Sequence, residues 1–326
     1  MLGFSRTHET AQLQREHAYA DGISSDRIRE HLRAVTREPH PAGTPANQRV
    51  AEYIASRFDD AGLETQLAEY DVLLSEPLET IVELVAPTHH LARLREDGVD
   101  TDPDSRHPDA SDFWIAYAAS GDVVAPIIYA NYGRPQDYEE LAERGISVVG
   151  QITLARSYHG YRGSKAFEAQ RRGVAGLIFY SDPYEDGAPR GPVYPDGPWA
   201  PMDRAERGSG AFDFLYPGDP LTPGTPSLPG ATRLDADDVP VLPRIPIAAI
   251  APRDAQILLG AMDGPDAPSS WVGALPIRYR LGAGRAQVHL KVDQRREVRR
   301  IRNVMAEIAG TDAPDEWVML SNHHDT

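Results

Sequence analysis

Cysteine is absent from all 326 residues. Disulfides and thiolate metal sites are thereby excluded, and the redox compartment stays open. Lysine is nearly absent: Lys165 and Lys291 are the only two among 33 basic residues. The sequence supports reading that arginine excess as a coding bias. Long apolar runs are missing as well. No stretch approaches the eighteen or so apolar residues of a membrane-spanning helix. Met1 to Ala20 carries Arg6, Glu9, Arg15 and Glu16 where a signal peptide needs an apolar centre. Basic charge is in deficit, with 49 acidic residues and a formal net charge of -16. A nucleic-acid binder needs clustered basic surface, so that class is excluded. Internal repeats and low-complexity tracts are absent too. What remains is an ordinary globular composition, 41% hydrophobic and 25% charged. The length allows two or three domains and a sizeable core.

Helix signals open the chain. Ser24 or Ser25 can cap a helix carrying Ile28, Leu32 and Val35 at helical spacing. Pro39 to Thr44 breaks it. Thr44 then suits an N-cap with Pro45 at the first helical position, and Val50, Ile54 and Phe58 mark one face up to Gly62. Residues 63–74 and 80–85 read as two strands on either side of Ser75-Glu76-Pro77. Residues 97–112 read as an acidic loop, 123–129 as a strand and 136–144 as a short helix closed by Gly145. Strand 147–154, helix 164–172 and strand 175–180 then form a βαβ crossover.

Residues 183–246 hold fourteen of the 28 prolines, which rules out regular sheet or helix through most of the segment. Trp199, Phe212, Phe214, Leu215 and Tyr216 require burial, so long ordered loops are expected there. A helix over 253–262 and a strand over 277–292 follow. Residues 300–308 alternate imperfectly. They are expected to pair, across a turn at 311–315, with an apolar run at Trp317 to Leu320 read as a buried strand.

That run ends in Ser-Asn-His-His-Asp. Open α/β sheets place their chemistry at the carboxyl ends of strands. An imidazole can ligate zinc while a nearby carboxylate fixes its tautomer. Side chains alternate along a strand, so His323 and Asp325 share a side and His324 faces away. The pair His323-x-Asp325 is therefore preferred over His324.

Three separated stretches together resemble glutamate carboxypeptidase II and its relatives, the zinc metallopeptidase family that includes the transferrin receptors. They are EPHPAGTPANQRVAEYIASRFDDAGLETQLAEYDVLLSEP (38–77), YRGSKAFEAQRRGVAGLIFYSDP (161–183) with the following YPDG and GDPLTPG, and IRNVMAEIAGTDAPDEWVMLSNHHD (301–325). The resemblance implies an α/β chain: a split zinc-aminopeptidase-like domain, incomplete here, with an inserted protease-associated apical domain of mixed β/α structure. Its boundaries are an N-terminal extension to 23, a first peptidase piece over 24–74, the apical domain over 75–297, and a second piece over 298–326.

The same resemblance implies roles for individual residues. His323 takes the position of the first zinc-ligating His and Asp325 that of the Asp orienting it. Ser321, Asn322 and His324 depart from the small residues and Arg usual around that His. Arg162 takes the place of an Arg that grips a substrate carboxylate, a task suited to a planar fork. Ser209 stands where the carboxypeptidase has a substrate-binding Asn, so strict preference for a C-terminal glutamate is not expected. Thr222 and Thr225 fall where carbonyl groups help hold a structural calcium, though the carboxylates completing such a site are not in the chain.

The implied activity is exopeptidase hydrolysis of short peptides with a free carboxylate, through a water activated by two zinc ions, of whose ligands only one is present here. The chain is expected to be the N-terminal part of a longer peptidase and inactive by itself. The longer protein is expected to dimerise through a C-terminal helical domain. No compartment is assigned. The other reading is a receptor-like or protein-binding module built on the protease-associated domain, doing no chemistry.

Overall fold

The computed structural model describes residues 5–326. Two compact units divide the chain: one takes the segments up to Ala68 and from Asn303, the other Glu69–Arg302.

In the first unit, capping chemistry sets the helices where the sequence predicts them. Helix α1 spans Arg6–Gly22 and α2 spans Ser25–Val35. The Ser24 hydroxyl accepts from the Arg27 N–H, satisfying one orphan donor of α2. The Thr44 hydroxyl does the same for the Asn47 N–H at the start of α3, Pro45–Asp60. Pro45 heads α3, where a missing N–H leaves no bond unmade. Val50 is buried with Ala46, Asn47, Ala51 and Ala55, while Ile54 and Phe58 are half-buried. Helix α2 buries none of its residues.

The strands, in the second unit but for residues 64–68 and 303–307, are β1 (Glu64–Ala86), β2 (His90–Leu91), β3 (Ile115–Ala116), β4 (Gly121–Tyr129), β5 (Ile152–Arg156), β6 (Gly176–Tyr180), β7 (Gly208–Ser209), β8 (Ile247–Ile250) and β9 (Gly282–Glu307). Helices α4 (Pro135–Glu143), α5 (Arg162–Arg171), α6 (Pro183–Asp186) and α7 (Pro252–Ala261) lie between them. Seven strands form one mixed sheet in the order β2-β1-β9-β4-β5-β6-β8, and β3 pairs with β7 apart from it. β4, β5, β6 and β8 run parallel, and β9 runs antiparallel to β4. Every residue of β5, β6 and β8 is buried, as expected for parallel strands covered on both faces. Their core also takes in Tyr138 and Leu141 of α4, Ala166 and Ala169 of α5, and Leu258 and Leu259 of α7. The unit β5-α5-β6 is the expected βαβ crossover.

The long strands differ from expectation. What reads as two strands before residue 86 is the single β1, and what reads as strands over 277–292 and 300–308 is the single β9, starting at Gly282. Pro77 is tolerated because β2 covers β1 only at Glu83 and Leu84. The charged stretch between Asp293 and Arg299 breaks the apolar alternation. In the structure its bases face acids on β1. Glu76 pairs with Arg295 at 2.6 Å and with Arg299, Asp71 with Arg300 at 2.8 Å, Glu69 with Arg302 at 3.0 Å, and Glu79 with Lys291. Opposite charges facing each other across a ladder favour the pairing of the two strands.

This ladder is sensitive to acid. Asp71, Glu76 and Glu83 are held below the ordinary carboxylate range, chiefly by hydrogen bonds from Arg300, Arg295 and His89 respectively. A lowered carboxyl pKa stabilises the fold above the unfolded value and loses that contribution as pH falls below it. The melting temperature is expected to drop as pH is taken from about 5 to about 3, and Glu76→Gln to flatten that slope. Parallel slopes for variant and wild type would contradict this.

The apolar run near the end also departs from expectation. Residues 317–320 form no strand, and Val318 and Leu320 are 95% and 94% exposed. The expected hairpin is absent: residues 300–307 are the end of β9. A strand needs a partner ladder, and among the described residues none lies beside 317–320.

The proline-rich segment is irregular, as expected. Phe212 is buried, its N–H donating to the Val241 carbonyl at 2.7 Å. Phe214 and Leu215, expected inside, are about half exposed. Phe212 fills the core position, and Phe214 only sets its ring edge-on to Phe167, 5.5 Å away.

Candidate metal-ligand and substrate-contact residues

In the first unit, the last residues of the chain return to the segment preceding α3. The Asn47 amide lies 3.3 Å from both the His324 carbonyl oxygen and His324 Nδ1. The Thr326 N–H donates to the His40 carbonyl at 3.3 Å. His40 and Asn47 are each 4% exposed. Two of the three resembling stretches, 38–77 and 301–325, thus meet here. His324 is the imidazole held against this body. The His323 ring is 79% exposed. Its Nδ1 lies 3.0 Å from the Asp325 carbonyl oxygen and 3.5 Å from Asp325 Oδ1. With Nδ1 turned to Asp325, Nε2 is the nitrogen left to ligate.

An exposed imidazole with Nδ1 bonded to a backbone carbonyl has the donor chemistry of a single metal ligand. Among the described residues, no group of three His, Cys, Asp or Glu side chains converges to hold a metal.

Arg162 is the first residue of α5 in the second unit. Its guanidinium pairs through Nη1 with Glu206. Arg162 Nε and Glu206 Oε2 are buried without a hydrogen-bond partner, so half of the fork is unused. Gly208 makes the approach feasible. Its φ is +154°, and a Cβ there would fall 2.1 Å from Arg162 Nη2. Ser209 follows in β7, and its hydroxyl accepts from the Ala211 N–H at 3.0 Å. Glu206 was not legible as the partner of Arg162, because their 44-residue separation carries no pattern.

Thr222 and Thr225 lie in the loop that Asp219 organises. Asp219 Oδ1 accepts from Leu73 N–H at 2.6 Å, and Oδ2 accepts from Leu221 N–H, the Thr222 hydroxyl and the Ser227 hydroxyl. The Thr222 carbonyl accepts from Thr225 N–H at 3.2 Å. The carboxylate nearest these threonines is thus committed to the loop itself. This arrangement does not fit a calcium site.

Sequence reasoning missed a buried polar cluster at the carboxyl ends of β4, β5 and β6. Lys165, 1% exposed, donates to the carbonyl oxygens of Arg156, Ser157 and Tyr158 at 2.8, 2.7 and 2.5 Å. Burial pushes its pKa down to about 7. The buried Arg156 guanidinium lies 3.8 Å from the centre of the Tyr132 ring and bonds Asn131. Asn131 and His159 adopt left-handed backbone, with φ of 52° and 58°. The scarcity of lysine was the one available signal. A compact ammonium turns three protons on three clustered carbonyls, which a planar guanidinium cannot.

No protein-family model matches the chain. Among curated proteins it is 37% identical to a glutamate carboxypeptidase 2 homolog of Caenorhabditis briggsae, over 94% of this chain and 42% of that protein. It is 35% identical to aminopeptidase NAALADL1 of Rattus norvegicus, over 93% of this chain and 43% of that protein. Among solved structures, a peptidase M28 precursor from Shewanella amazonensis SB2B is 16% identical with a TM-score of 0.49, covering 91% of this chain and 53% of that one. Over nearly its whole length the chain is similar to proteins named glutamate carboxypeptidase 2 homolog and aminopeptidase NAALADL1. It spans about two fifths of the length of the curated relatives it matches.

Proposed function

We propose that this chain is the N-terminal part of a zinc-dependent exopeptidase acting on short peptides with a free carboxylate. One observation carries the reading: His323 turns Nδ1 to Asp325 and leaves the rest of an exposed ring available. An Nδ1 held by a backbone carbonyl, with the Asp325 carboxylate 3.5 Å away, leaves Nε2 to ligate. Homology to glutamate carboxypeptidase 2 homologs and to an aminopeptidase supports the reaction class.

Zinc, when bound, supplies a Lewis acid that activates water and polarises the scissile carbonyl, in a pair of ions in this reading. The chain's own residues do three things. His323 offers Nε2 as a ligand. Asp325 fixes the ring's tautomer. Arg162 presents a guanidinium to the substrate's carboxylate, beside the Ser209 hydroxyl. By itself the chain holds one metal ligand and is expected to be inactive.

The test uses a protein containing this chain and spanning the full length of its relatives. It is expected to bind zinc, to hydrolyse dipeptides and to stop when a chelator removes the metal. Arg162→Ala is expected to raise KM for peptides with a free carboxylate about tenfold or more. Absence of zinc and of hydrolysis would favour a receptor-like module over a peptidase.

A further inference from the structure

If Arg162 grips a substrate carboxylate, as proposed above, its contact with Glu206 bears on how strongly that carboxylate is preferred. A guanidinium offers two edges that make paired bonds to a carboxylate: Nε with Nη2, and Nη1 with Nη2. At Arg162 the first edge is closed, because Nε is buried without a hydrogen-bond partner and a ligand oxygen cannot reach it. The second edge is held at Nη1 by Glu206. Nη2 lies against Gly208, where a Cβ would fall 2.1 Å away. A carboxylate that makes two parallel bonds therefore has to take Nη1 from Glu206.

Glu206 is tethered beside that edge. Its backbone N–H donates to the Ser181 hydroxyl, just past the end of β6, at 3.0 Å. That bond fixes the main chain and leaves the side chain to turn. The carboxylate itself is poorly satisfied, with Oε2 buried and unbonded. Leaving a buried acceptor unbonded is unfavourable, so this contact is weaker than a closed two-pronged pair. Arg49 and Glu38 form such a pair, Nε to Oε1 at 3.0 Å and Nη2 to Oε2 at 2.8 Å. The arginines on either side of Glu206 are engaged elsewhere, Arg204 with Asp186 and Arg207 with Glu96.

We propose that Glu206 is an internal carboxylate that competes with the substrate's own for Arg162, and so sets how far a free C-terminus is preferred over a neutral one. A free carboxylate binds only by breaking the ion pair. A C-terminal amide accepts one bond from Nη2 and leaves Glu206 in place.

The test uses the protein spanning the relatives' full length and two peptides that differ only at the terminus, L-alanyl-L-leucine and L-alanyl-L-leucinamide. Glu206→Gln is expected to lower KM for the free dipeptide about fivefold, the upper range for an ion pair that is not fully buried, with kcat unchanged. KM for the amide is expected to stay as in wild type. Glu206→Ala is expected to act in the same direction, so a folding defect peculiar to one variant does not decide the outcome. In an Arg162→Ala background, Glu206→Gln is expected to have no effect, because the competitor acts only through that guanidinium. Calorimetric titration of both peptides onto the metal-free protein reads the same shifts as Kd, without turnover. An unchanged or raised KM for the free dipeptide in Glu206→Gln, or an equal fall for both peptides, would overturn the competitor. If Arg162→Ala leaves the preference for the free carboxylate intact, the reading of Arg162 itself has failed. If that preference is lost in Arg162→Ala yet untouched by Glu206→Gln, only the role of Glu206 has.

Discussion

Lys165→Met is expected to destabilise the chain by about 4 kcal/mol, seen as a lowered urea midpoint with unchanged slope. A buried acceptor left without its donor costs roughly 1–3 kcal/mol, and this substitution strands three. The carbonyls of Arg156, Ser157 and Tyr158 converge on one ammonium where β5 ends. Methionine fills much the same volume, so loss of packing is not the cause. Opposing this, burial of the charge has a cost of its own, which is why the Lys165 pKa falls to about 7. A lowered lysine pKa penalises the folded state below that value. The penalty fades as pH rises from about 7 toward the unfolded value of 10.5. Wild type should therefore gain stability across that window, and Lys165→Met should not. A variant within about 1 kcal/mol of wild type, a typical single-mutant effect, would refute the role given to these three bonds.

His323→Ala, in a protein spanning the relatives' full length, is expected to lose zinc affinity by more than about 100-fold and hydrolysis with it. Removing an outer-shell partner usually costs 10–100-fold, so Asp325→Asn should fall in that range and the ligand itself above it. His324→Ala is the control. Its ring faces Asn47, and its loss should leave metal content intact. Competition against a chelator, followed by metal analysis, separates the three variants. Full zinc occupancy in His323→Ala would remove the assignment.

Much of the fold was readable because local chemistry agreed with it. Ser24, Thr44 and Pro45 mark helix starts through caps that the structure contains. The βαβ unit around α5 was visible because parallel strands buried on both faces read as unbroken apolar runs. The failures share one cause, which is dependence on distant partners. Residues 293–299 interrupt the apolar alternation, and only Glu76 opposite Arg295 and Arg299 shows how β9 runs on through them. Residues 317–320 look like a buried strand, yet burial needs a neighbour that periodicity cannot supply. Residue type singled out His323 and Asp325, and Arg162 came from the family resemblance, which names a position and not its partners. It could not show that Glu206 already occupies part of the Arg162 fork.

The opposed charges on β1 and β9 have one more effect. Burial of one face normally fixes how two strands align, and polar strands are prone to slip. Here burial of Val82, Leu84, Val288 and Leu290 sets which face is inward, and sign resists the slide that would keep it: moving β9 by two residues would pull Lys291 away from Glu79 and His289 away from Glu83. High salt should therefore loosen the choice of alignment before it loosens the sheet.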